Sequence, residues 1–107
     1  RKVDPKRIAA FETLLQTMKN DGVRVVLFLS PYHPLFYQNL PSLAASEQIF
    51  REVAARQNVD IIGAYNPEQI ALTEADFFDY WHPTPEGLAR FFASEQARSV
   101  LMKQFAA

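Results

Sequence analysis

Val23-Arg24-Val25-Val26-Leu27-Phe28-Leu29, broken by Ser30-Pro31-Tyr32-His33-Pro34, reads as a strand that stops abruptly. Its core, Val25 to Leu29, is the longest unbroken apolar run in the chain. A run without polar alternation suits a strand covered on both faces, as in a parallel sheet. Upstream, Asp4 is placed to cap a helix with Pro5 at its first position. Ile8, Phe11, Leu15 and Met18 then share one face, with Leu14 beside them. Asn20-Asp21-Gly22 stops that helix.

Downstream, a loop carrying Tyr37, Gln38 and Asn39 leads to Pro41-Ser42 and a second helix. Leu43, Ile49, Phe50 and Val53 form its buried side, and Asn58 closes it. Val59 to Ile62 is a second short strand ending at Gly63. Strand, helix and strand at this spacing predict a right-handed crossover and a parallel pair. Asn66-Pro67 and Thr73-Glu74-Ala75-Asp76 start brief turns. Thr84-Pro85 caps a last helix with Leu88, Phe91 and Phe92 on its apolar face. The expectation is one α/β domain over residues 1–107, a parallel sheet flanked by three substantial helices.

Composition narrows the function classes. The 107 residues are 49% apolar and 13% aromatic, enough for one modest core. Eleven basic and twelve acidic side chains nearly cancel, which argues against a nucleic-acid field or electrostatic membrane attachment. Cysteine is absent, so disulfides and thiolate metal sites are excluded. The apolar run is far too short to span a bilayer. The chain opens Arg1-Lys2-Val3-Asp4-Pro5 without methionine and reads as a piece of a longer protein.

Ligands of open parallel sheets sit outside the carboxyl ends of the strands. Ser30 to His33 follow the first strand, Tyr65 and Asn66 follow the second, and Asp79 to His82 precede the last helix. Three loops are therefore expected to converge on one rim. Asp79 lies three residues before His82 in Asp79-Tyr80-Trp81-His82-Pro83. A carboxylate there fixes the imidazole tautomer and leaves the other nitrogen free to take a proton. The bland alternative is a structural pair in which Asp79 caps a turn and His82 bonds a backbone carbonyl. His33, between Pro31 and Pro34, is either a pocket residue or a loop histidine held by prolines. A zinc site of Asp79, His82 and His33 has the right number of ligands but no recognisable spacing. Tyr37 and Trp81 are the aromatic candidates for substrate contact, the bland reading being core packing. Glu12, Glu47, Glu52 and Glu95 read as solvated helix faces.

Asp79-x-x-His82-Pro83, with Gly87 following, resembles the last conserved block of the SGNH (GDSL-type) hydrolases. The order of elements around it is similar to the C-terminal half of that family. The resemblance implies a flavodoxin-like three-layer sandwich, here a partial domain. It implies that His82 is a general base and Asp79 its orienting partner. It also implies a serine nucleophile in an upstream G-D-S block and oxyanion donors from other blocks, which this sequence does not contain. Ser30, Ser42, Ser46, Ser94 and Ser99 lack the nucleophile's context.

The expected activity is that of a serine esterase or acyltransferase acting on an ester such as an O-acetyl group of a carbohydrate. No cofactor or metal is expected. The expected partners are a small-molecule or glycan ester and either the missing N-terminal half or a second copy, with no nucleic acid and no membrane insertion. The resemblance favours an extracytoplasmic location. The rival expectation is a non-catalytic carbohydrate-binding or interaction module on the same scaffold. A receiver-type domain would need acids at the strand ends, and neither strand has them.

Overall fold

The computed structural model describes residues 4–105. The chain is α/β, with a two-stranded parallel sheet among the described residues. The elements run α1 (Pro5–Asn20), β1 (Val26–Leu29), α2 (Pro34–Gln38), α3 (Ser42–Arg56), β2 (Asp60–Gly63), α4 (Pro85–Phe92) and α5 (Glu95–Phe105). Two 3-10 turns, Pro67–Ile70 and Glu74–Asp76, lie between β2 and α4. No described helix is long and apolar enough to cross a membrane.

Local signals explain most boundaries. The Asp4 side chain accepts from the Lys6 N–H at 2.9 Å, with Pro5 at the first helical position. Thr84 caps α4 by accepting from the Gly87 N–H at 3.0 Å. Gly22 leaves α1 at φ +79°.

The strands pair from Val26↔Asp60 to Leu29↔Gly63. The first strand is therefore shorter than its apolar run. Val23 to Val25 fall before the ladder begins, and Val23 is exposed. Period-2 alternation sets Val26 and Phe28 on one face beside Ile62. There Ile62, Phe91 and Ala97 form a core cluster joined by Val26, Ile70, Val100 and Leu101. Phe28 stacks on Phe91 and meets Phe92, centroids 5.8 and 5.1 Å apart. α3 also packs on β2, and α1 lies against α3 through the Phe11–Phe50 edge contact at 5.5 Å.

Three details depart from the sequence reading. Tyr37 and Gln38 lie in the short helix α2, not in a loop, because Pro34 takes its first position and His33 caps it. The last helix breaks at Ala93-Ser94 into α4 and α5, where the Arg98 N–H bonds the Ser94 carbonyl at 2.9 Å. Glu47 is not on a solvated face. It is 9% exposed and accepts from the Tyr65 N–H at 3.0 Å and from Arg51 Nε at 2.8 Å. Arg51 in turn donates to the Gly63 carbonyl at 3.2 Å. Glu12 likewise pairs with Arg56 at 2.6 Å and accepts from Gln57.

Candidate functional site

Three loops meet at the carboxyl end of the sheet. The Tyr32 N–H donates to the Tyr65 carbonyl at 3.1 Å, joining the loops after β1 and β2. The His33 N–H donates to the Tyr80 carbonyl at 3.0 Å, joining the first of these to the Asp79–His82 loop. Buried Glu47 supports the rim from below through the Tyr65 N–H.

The Asp79–His82 loop is closed on itself. The Phe78 N–H donates to the His82 carbonyl at 2.9 Å, and Phe77 bridges Pro83. The Thr84 N–H reaches the Asp76 carbonyl at 2.7 Å. Arg90 of α4 pairs with the Asp76 carboxylate at 2.7 Å. Gly87 has a packing reason in this motif: a Cβ there would meet Asp76 Cβ at 3.0 Å and Thr84 Oγ1 at 3.2 Å. The glycine lets the start of α4 press against the turn that carries the loop.

Within the loop, Asp79 Oδ1 accepts the backbone N–H groups of Trp81 and His82, both at 2.8 Å. His82 Nδ1 lies 2.8 Å from Oδ1 and 2.7 Å from Oδ2. These bonds hold the Asp79 carboxyl below the usual carboxylate range, the Trp81 N–H first and the His82 ring next. A carboxylate only accepts, so a neutral His82 holds its proton on Nδ1 and its lone pair on Nε2. His82 Nε2 has no protein partner among the described residues, and the side chain is 70% exposed against 46% for Asp79. The pair can orient an imidazole, accept a proton at Nε2 and stabilise the resulting imidazolium.

No family model, curated protein or solved structure matches this chain.

His33 is half-buried on the same rim, its ring edge-on to Phe77 and Tyr80 at 5.7 and 5.5 Å. Its Nδ1 accepts the Leu35 N–H at 3.1 Å. Trp81 is 53% exposed and leans on Phe36 and Tyr80, centroids 5.7 and 6.1 Å away. Phe36 also stacks on Tyr80 and on Tyr32, and Tyr32 meets Tyr65. Tyr37 is half-buried on α2 and makes no ring contact with this cluster among the described residues. A shallow depression of about 290 Å³ is lined by His33, Phe77, Phe78, Asp79 and Tyr80. His82 is not among its lining residues.

Sequence reasoning placed Tyr65 on the rim and missed Glu47, which accepts its N–H. Burial pushes the Tyr65 phenol above its ordinary pKa, with Tyr32 and Glu47 adding to the shift. Glu47 lies four residues after Leu43, on the apolar face of α3, and that position was its readable signal. Among the described residues, no group of three or more His, Asp or Glu side chains is placed to hold a metal.

Proposed function

We propose that this chain supplies the acid–base pair of a serine esterase or acyltransferase of the SGNH type, acting on an ester such as a carbohydrate O-acetyl group. The supporting observation is the Asp79 carboxylate 2.7 Å from His82 Nδ1, with Nε2 unoccupied on an exposed rim. In this reading the nucleophilic serine and the family's glycine and asparagine oxyanion donors come from outside these 107 residues. The serine O–H gives its proton to His82 Nε2 as its oxygen attacks the acyl carbonyl. The imidazolium, held by Asp79, then returns the proton to the leaving alcohol. Water or a second alcohol releases the acyl group by the same relay.

The corresponding fold is a flavodoxin-like three-layer sandwich of which this chain forms part. The outer edge of β1 has no backbone partner among the described residues, and such an edge takes a further strand. His33, Tyr37 and Trp81 are the substrate-contact residues in this proposal.

A second reading is a carbohydrate-binding module. It is favoured by the aromatic cluster of Phe36, Tyr80 and Trp81, whose Tyr80 and Trp81 rings are about half exposed. The two readings part on ester turnover by the protein at its gene-encoded length. Loss of turnover in His82→Ala with an unchanged fold supports the enzyme. Unchanged turnover ends it.

A further inference from the structure

His33 and His82 use the same ring nitrogen in opposite ways. His82 Nδ1 faces a carboxylate and carries the proton. His33 Nδ1 accepts the Leu35 N–H and carries the lone pair. A neutral His33 therefore holds its proton on Nε2. That nitrogen has no protein partner among the described residues. His33 is only half-buried, and no buried side-chain N or O among the described residues lacks a partner, so Nε2 reaches solvent. The ring is clamped by Phe77, Tyr80 and the α2 cap, while the His33 N–H is tied to the Tyr80 carbonyl. One rim thus presents a proton acceptor at His82 Nε2 and a fixed donor at His33 Nε2.

We propose that His33 is a substrate-positioning hydrogen-bond donor whose Nε2–H binds the carbonyl oxygen of an uncharged acyl ester in the depression beside Asp79. The proposal rests on the ester reading above. The class of ligand follows from the walls. Phe77, Phe78 and Tyr80 offer apolar surface to an acyl group. Asp79, ionised above its lowered pKa, disfavours an anionic ligand such as a free carboxylate or phosphate. A neutral imidazole N–H polarises a carbonyl without adding charge to the site.

The test is 15N NMR of the labelled chain, titrated with methyl 6-O-acetylglucoside. His33 is expected to show a protonated Nε2 and a bare Nδ1, His82 the reverse, with the ester perturbing His33 Nε2. His33→Asp keeps an oxygen to cap the Leu35 N–H but removes the donor, and raises Kd about tenfold. His33→Asn keeps both acceptor and donor and stays within about threefold of wild type. A protonated Nδ1 on His33, wild-type affinity in His33→Asp, or no binding by the wild-type chain each overturns the donor role. None of these outcomes bears on His82, whose role as base stands or falls on the turnover of His82→Ala.

Discussion

Asp79 holds His82 twice through one atom: Oδ1 lies 2.8 Å from both the backbone nitrogen and the ring Nδ1 of His82. The same bonds that close the loop also aim the imidazole. Asp79→Asn separates the two roles. The amide oxygen still accepts the backbone N–H groups, so the fold stays within about 1 kcal/mol of wild type by urea unfolding. The amide N–H facing Nδ1 favours the other tautomer and moves the His82 proton to Nε2. Ester turnover is expected to fall by orders of magnitude; the equivalent change in a serine protease costs about 10⁴ in kcat. Ring 15N shifts of His82 and turnover in the gene-length protein check both halves. An unshifted tautomer with lost turnover would detach activity from the geometry.

Gly63 ends β2 at φ +85°, and a Cβ there would fall on the Leu29 carbonyl oxygen and press on Phe28. Gly63→Ala is expected to cost about 3 kcal/mol or more, from strain and displacement of β1 together. Gly22 has a similar φ of +79° but open space around it. Gly22→Ala should cost only about 1 kcal/mol. Paired urea titrations decide this. Equal losses would show that backbone strain alone, and not the close approach of the strands, fixes Gly63.

Glu47→Ala leaves the Tyr65 N–H without its acceptor and frees Arg51 from its ion pair. A loss of about 1–3 kcal/mol is expected, with the greatest change in hydrogen exchange at Tyr65 and Tyr32. Glu47→Gln retains an acceptor oxygen and should recover part of that loss. Exchange rates unchanged at Tyr32 would disconnect Glu47 from the rim.

The sequence carried the parallel pair because its two apolar runs bracket a helix of crossover length, and parallel register needs nothing more local than that. It carried the Asp79–His82 contact because a three-residue spacing on a short closed loop leaves few other partners. It carried only the hint that Glu47 is an acid on an apolar helix face, since the partner that explains it, the Tyr65 N–H, lies 18 residues along the chain, and Arg51 links it to the Gly63 carbonyl. The role of His33 was hidden for a similar reason: histidine is an uncommon cap, so Pro34 was read as a breaker when it begins α2. The first strand is overstated because pairing, not apolarity, ends a ladder and β1 pairs only from Val26 onward, whereas the second keeps its four residues but is shifted by one, from Val59–Ile62 to Asp60–Gly63.

Among the described residues, four side-chain carboxyls sit below their ordinary pKa. Arg56 is the main cause at Glu12, Lys103 at Asp60, Arg90 at Asp76 and the Trp81 N–H at Asp79. Each binds its proton less readily in the folded chain. The stability they contribute is complete above the unfolded carboxylate range of about 4 and is lost as pH falls through the lower folded values. The urea midpoint is expected to stay level from about pH 8 to 5 and to drop steadily below about pH 4. A midpoint that rises on acidification would contradict these partners.

Trp81 separates binding from chemistry. Its backbone N–H, not its ring, bonds Asp79, so Trp81→Ala removes exposed aromatic surface and leaves the donor to Oδ1 in place. Affinity for an acetylated oligosaccharide, measured by calorimetry, is expected to fall about tenfold, the scale of one lost aromatic stacking contact. Tyr37, half-buried and outside the ring cluster, should matter less when changed to Ala. If the proposed ester chemistry holds, the Trp81 change in the gene-length protein should raise KM and spare kcat, because the ring offers surface for binding and carries no transferable proton for the relay. If Trp81→Ala abolishes glycan binding while His82→Ala changes neither binding nor turnover, the rim is a carbohydrate platform, and the Asp79–His82 contact serves only to fold its loop.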